Sequence, residues 1–100
     1  MSESPAMELH RKLNGKIVVS GKMKATSMSD LALLYTPGVA DACLAIKADS
    51  SEVYNLTMKK NSVAIVTDGT RVLGLGNIGA LASLPVMEGK AFLFNSFAGI

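Results

Sequence analysis

Val63-Ala64-Ile65-Val66-Thr67-Asp68-Gly69-Thr70-Arg71-Val72-Leu73-Gly74-Leu75-Gly76-Asn77-Ile78-Gly79 is the stretch on which the fold class turns. Residues 63–66 form a run of apolar and β-branched side chains, the pattern of a buried strand. Asp68-Gly69 then separates this run from residues 70–73, and an Asp-Gly pair between two β-prone runs is a strong hairpin signal. Glycines at 74, 76 and 79 mark the following residues as a loop.

Upstream, Ile17-Val18-Val19-Ser20 is short, β-branched and bounded by Gly15 and Gly21, so it also reads as a strand. The remaining segments read as helices. Ser4-Pro5 ahead of residues 6–13 predicts a capped helix with Pro5 in its first turn and Gly15 just past its end. Ser29 or Asp30 can cap a short helix over residues 31–34. Thr36-Pro37-Gly38 stops it, because the residue before proline avoids helical angles, and this leaves Tyr35 at a forced boundary. The spacing of Val39, Cys43 and Ile46 predicts a helix over 39–46, and Asp49-Ser50-Ser51-Glu52 resembles the start of another. Residues 86–97 read as a helix following Pro85. Together these elements predict an α/β fold, a small mixed α+β domain over residues 1–100.

A chain of 100 residues fits one small domain with a modest core. With 49% of residues hydrophobic and 18% charged, it is expected to fold rather than stay disordered. The net charge of +2 is interleaved along the chain without a basic block, which argues against nucleic acid as a partner. Cys43 is the single cysteine, so no intramolecular disulfide forms and a reducing, cytoplasmic setting is expected. The start lacks a basic leader followed by an apolar stretch, and no run reaches the roughly 18 apolar residues of a membrane span, so no membrane partner is expected. All three phenylalanines fall within residues 91–100, although terminal residues are usually polar. Such a tail either packs on a partner chain or, as we read it, belongs to a larger protein from which the sequence is cut.

Gly74-Leu75-Gly76-Asn77-Ile78-Gly79 matches the dinucleotide pattern G-x-G-x-x-G. A nucleotide site would also need a helix directly after the glycines and an acid about 20 residues on. Pro85 interrupts that helix and residues 95–97 hold no carboxylate, so a tight turn is the preferred reading. Three side chains remain open between chemistry and structure. The Tyr35 phenol stands where the chain must bend, able to overhang a cleft or to pack its ring in the core. Lys90 precedes an apolar segment, as a functional amine or as a side chain reaching water. Arg71 can grip a carboxylate or simply be solvated. His10 and Cys43 read as structural, since neither has a second ligand type nearby.

Taken in order, several blocks resemble the malic enzyme family in its short prokaryotic form. Residues 9–17 resemble its opening helix and strand, and Asp30-Leu31 through Tyr35-Thr36-Pro37-Gly38-Val39-Ala40 resembles its tyrosine signature. Residues 63–69, 72–79 and Leu84-Pro85-Val86-Met87-Glu88-Gly89-Lys90-Ala91 follow in the family's order. The resemblance implies an enzyme that oxidises malate, decarboxylates the product and tautomerises enolpyruvate to pyruvate, using NAD or NADP with Mg2+ or Mn2+. It implies Lys90 as the base for the hydroxyl proton, Tyr35 as the acid that protonates the enolpyruvate carbon and Arg71 as a carboxylate ligand. A lysine serves as a base only where its surroundings disfavour the ammonium form. In the family the acidic metal ligands and the nucleotide-binding domain lie beyond these residues, so no metal or cofactor ligand is expected within this chain. The resemblance also implies a homodimer in which this region packs on the other subunit, a domain-swapped arrangement. Two other readings stand beside it: a non-catalytic dimerisation or interaction module, and a stand-alone nucleotide binder using residues 74–79.

Overall fold

In the computed structural model, which describes residues 3–100, the Ser4 hydroxyl accepts from the Met7 N–H at 3.2 Å and caps helix α1 (Pro5–Leu13). This is the start that Ser4-Pro5 predicts. Asn14 ends the helix in the left-handed region, and Gly15 follows at φ 88. The remaining helices are α2 (Met28–Leu34), α3 (Val39–Ala48), α4 (Val53–Leu56) and α5 (Ala80–Ala98), with 3-10 turns at Ser50–Glu52 and Met58–Asn61. The chain divides into two compact units. One combines the residues up to Val19 with Val63–Ile100, and the other is Ser20–Ser62.

The strands expected over residues 17–20, 63–66 and 70–73 are not formed, and no strand occurs among the described residues. A strand exists only where its N–H and C=O groups pair along a neighbour. Val18, Val19 and Val66 instead lie open, at 86%, 96% and 90% exposure. The β-branched pattern reports what these runs prefer locally, and pairing is a separate requirement. What the chain displays is therefore a small helical domain with irregular connections, in place of the expected α/β mixture.

The hairpin signal marks a real reversal but misplaces its tip. The Asp68 carboxylate accepts from the Thr70 N–H and hydroxyl at 3.1 and 2.8 Å, a local turn that holds its carboxyl below the usual range, chiefly through the hydroxyl. The chain reverses further on, where the Leu75 N–H donates to the Val72 carbonyl at 2.9 Å and the Val72 N–H to the Gly76 carbonyl at 3.0 Å. The Ile78 and Gly79 N–H groups both donate to the Gly69 carbonyl, at 3.1 and 3.2 Å. Residues 69–79 thus close on themselves, with the Val72 side chain buried at 3% exposure. Gly69 is indispensable to this closure. It sits at φ +75, and a Cβ there would stand 2.0 Å from the Gly79 carbonyl oxygen.

Helix α5 begins at Ala80, directly after the loop, rather than after Pro85, and so contains that proline. Proline withholds the N–H that would bond to the Leu81 carbonyl. Leu81 is 89% exposed, which leaves that carbonyl within reach of water. On the other side of the unit, Glu88 of α5 holds the end of α1. Its Oε1 accepts from the Lys16 N–H at 2.8 Å. His10 Nδ1 lies 2.7 Å from the Ala6 carbonyl, and its Nε2 lies 2.6 Å from Lys16 Nζ. A carbonyl only accepts, so Nδ1 carries the hydrogen and Nε2 accepts from the lysine ammonium. The structural reading of His10 agrees with this.

In the central unit the cap of α2 is Ser27, two residues before the expected Ser29 and three before Asp30. Its Oγ accepts from the Asp30 N–H at 3.2 Å. The Asp30 carboxylate accepts from the Thr26 N–H and hydroxyl at 3.0 and 3.1 Å, which lowers its titration below the ordinary range. Asp49 caps the Ser50–Glu52 turn as its sequence suggests, accepting from the Ser51 hydroxyl at 2.7 Å and N–H at 3.0 Å. The stretch Met28–Ala48, with a mean hydropathy of 1.3, is long and apolar enough to cross a membrane by length and composition, a feature that a search for unbroken apolar runs overlooks. It is nevertheless two helices broken at residues 35–38, and it carries Asp30, Asp41 and Lys47.

Candidate functional site

Tyr35 is the C-cap of α2, and both of its backbone groups are engaged. Its N–H donates to the Leu31 carbonyl at 2.8 Å, and its carbonyl accepts from the Val39 N–H at 2.7 Å. The backbone is held between α2 and α3. Tyr35 is 71% exposed, so its ring does not fill the core of this chain. The result is a phenol presented outward from a fixed base.

Lys90 lies on α5, exposed, at one edge of a cleft of ≈ 410 Å³ lined by Leu93, Phe94, Phe97 and Ala98. The spacings of three, four, seven and eight residues put all five on one side of the helix. A second side of α5, with Leu84, Met87, Glu88 and Ala91, faces Ile17, Val63 and Ile65 of the same unit. Phe92 belongs to neither set and turns toward Lys16, Ile17 and Val18. The three phenylalanines therefore serve different surfaces, and only Phe94 and Phe97 share one with Lys90.

Arg71 is exposed in the closed loop, and among the described residues no hydrogen bond or ion pair engages its guanidinium. Arg71 and Lys90 belong to the terminal unit and Tyr35 to the central one. Each unit contributes candidate chemistry of its own: a phenol in one, a primary amine and a guanidinium in the other.

Among the described residues no three His, Cys, Asp or Glu side chains gather in a way that could hold a metal ion. The glycine loop does start a helix, but no strand leads into it, and the N–H groups of Leu75, Ile78 and Gly79 are already spent on carbonyls of the loop itself. The described residues do not by themselves form a site for either group. Glu88 and Ser27 emerge as organising residues to which the sequence reading gave no role. Glu88 carried no local signal, since its partner is the amide of Lys16, far away in sequence. Ser27 did carry one, with Asp30 three residues on at the start of an apolar run.

Residues 14–100 match the family described as malic enzyme, N-terminal domain. The chain is 56% identical over 95 residues to the bifunctional malic/malolactic enzyme of Bacillus subtilis, covering 95% of this chain and 23% of that protein. It is 53% identical over 88 residues to the NAD-dependent malic enzyme of Geobacillus stearothermophilus, covering 88% of this chain and 18% of that one. Among solved structures, the NAD-dependent malic enzyme of Thermotoga maritima superposes with a TM-score of 0.92 at 51% identity, covering 98% of this chain and 26% of that chain. The malic enzyme of Entamoeba histolytica does so with a TM-score of 0.87 at 34% identity, covering 95% and 20%. The chain thus spans about a fifth of the length of the curated relatives it matches.

Proposed function

We propose, from the premise that this chain belongs to the malic enzyme N-terminal domain family, that it is the substrate-side segment of an enzyme converting malate to pyruvate. In this reading Lys90 takes the proton from the malate C2 hydroxyl while hydride leaves C2. Loss of CO2 then gives enolpyruvate as its enolate, and Tyr35 delivers a proton to the methylene carbon to form pyruvate. Arg71 pairs with a malate carboxylate. NAD or NADP would accept the hydride and Mg2+ or Mn2+ would polarise the carbonyl, both held by residues other than these. The observation that carries the reading is the setting of the two groups. Lys90 stands beside an apolar wall of Leu93, Phe94 and Phe97, and the Tyr35 phenol projects from a backbone fixed on both sides.

The exposed surface supports incompleteness of the chain by itself. Two separate compact bodies of these lengths would together expose about 6,500 Å², whereas the chain exposes 8575 Å². Much of the excess is apolar, including Leu33 at 76%, Phe97 at 84% and Val19 at 96% exposure. In the longer protein, the open runs at 17–20 and 63–66 would pair as strands of an α/β domain. A full-length relative whose matching segment is replaced by residues 1–100 should form pyruvate from malate, while the chain alone should form none. An inactive, well-folded chimera, or turnover by the purified chain, would overturn the proposal.

The same uncovered surface favours a second reading, in which the chain is a dimerisation or interaction module. Here a second copy covers the Phe94 and Phe97 face, as a homodimer that exchanges segments between subunits. Light scattering decides it. Self-association lost on replacing Phe97 by Glu supports this reading, and a monomer across a wide concentration range refutes it.

A further inference from the structure

We propose that Gly38 is a positioning residue for Tyr35, an inference that rests on the reading of Tyr35 as the acid. Gly38 adopts φ -59 and ψ -31, an ordinary helical conformation open to any residue. Its requirement is therefore spatial. A Cβ at this position would stand 2.6 Å from the Ala32 carbonyl oxygen and 3.1 Å from the Leu33 Cα. Both obstacles are backbone atoms of α2, which cannot move aside as the end of a flexible side chain could. The absence of a side chain lets the Gly38 N–H reach the Ala32 carbonyl at 2.8 Å. That bond brings the first turn of α3 against the last turn of α2, and Tyr35 lies between them.

The bonds to Tyr35 share this closure. Its N–H is tied to Leu31 in α2 and its carbonyl to Val39, the residue after Gly38. An alanine at 38 must push the Ala32 carbonyl away by several tenths of an ångström at least. The push separates the two anchors of Tyr35 and shifts the phenol with them. A misplacement of about 1 Å at a reacting group can cost about 10²-fold in rate. The Tyr35-dependent protonation should suffer to that order, and the steps that do not use the phenol should be spared.

The test uses a full-length malic enzyme carrying residues 1–100, in four forms: parent, Tyr35→Phe, Gly38→Ala and the double variant. Overall conversion of malate to pyruvate is compared with reduction of added oxaloacetate, which needs no protonation at carbon. Gly38→Ala should lower overall kcat about 10²-fold, keep most oxaloacetate reduction, and add little to Tyr35→Phe in the double variant, because both lesions remove the same contribution. Costs that multiply, a parallel loss of oxaloacetate reduction, or a parent-like Gly38→Ala would overturn the proposal. If Tyr35→Phe itself runs at the parent rate, the acid reading fails instead, and the two failures are told apart. Should Gly38→Ala not fold, amide exchange in the parent decides. Protection at Tyr35, Gly38 and Val39 well above that of Leu73 and Gly74 at the exposed loop tip is expected, and equal exchange would refute the closure.

Discussion

Replacing Gly69 by alanine should open the loop of residues 69–79, whereas replacing Gly74 by alanine should leave it closed. Three effects act at Gly69. An L-residue in the left-handed region costs about 1–2 kcal/mol, and Gly69 sits at φ +75. The new Cβ cannot coexist with the Gly79 carbonyl 2.0 Å away, so residues 79 and 80 must withdraw. Withdrawal breaks the bonds from the Ile78 and Gly79 N–H groups to the Gly69 carbonyl, worth about 1 kcal/mol each. The combined cost is about 3–4 kcal/mol, a hundredfold to thousandfold change in the opening equilibrium. At Gly74 no atom lies within 4 Å of the built Cβ, and its φ is not positive. An alanine there should be neutral or stabilising by about 0.4–1 kcal/mol, through the unfolded chain. Amide exchange at Val72 and Ile78 measures the opening. Parent-like exchange in Gly69→Ala, or equal damage from the two changes, would refute the reasoning.

Two further outcomes follow from the hydrogen bonds. Removing the Glu88 carboxylate with Glu88→Ala should speed exchange of the Lys16 amide about tenfold, since a bond to a charged acceptor at this half-buried position contributes about 1.5 kcal/mol, and unchanged exchange would show that α1 is held by other contacts. The carboxyls of Asp68, Asp49 and Asp30 are held below the ordinary value by Thr70, Ser51 and Thr26. A lowered carboxyl contributes stability that is complete above the ordinary aspartate value of about 3.9 and lost as pH falls through its own lower one. The amides of Thr70 and Ser51 should therefore shift in an NMR titration with a midpoint below about pH 3.9, and a midpoint at or above that value would contradict the turn geometry.

The parts of the fold that local chemistry decides were legible from the residues. Ser4, Pro5 and Gly15 delimit α1 because capping, a fixed proline φ and the left-handed exit act within a few residues. Tyr35 falls at a helix end because Pro37 restricts the residue before it. That the runs at 17–20 and 63–66 stay unpaired was not legible, because pairing depends on a neighbour that they do not find among the described residues. Pro85 misled in the opposite direction. Its breaking effect assumes a carbonyl left unsatisfied, and the exposure of Leu81 removes that penalty. Tyr35, Lys90 and Arg71 could be named as candidates from ordered blocks of sequence. Gly38 and Glu88 could not be assigned roles, because their work consists of contacts that only the folded chain brings together.

Reduction of oxaloacetate by the Tyr35→Phe and Lys90→Ala forms of a full-length enzyme carrying residues 1–100 tests the central claim most directly. Each change should lower the overall conversion of malate to pyruvate by about 10²- to 10⁴-fold, with smaller effects on KM. The Tyr35→Phe form should still reduce oxaloacetate, because on the proposed roles hydride delivery to C2 takes its proton from the Lys90 ammonium and needs no proton at carbon. The Lys90→Ala form should lose that reduction too. Normal oxaloacetate reduction by Lys90→Ala, or parent-rate pyruvate formation by Tyr35→Phe, would contradict the roles assigned to these two side chains.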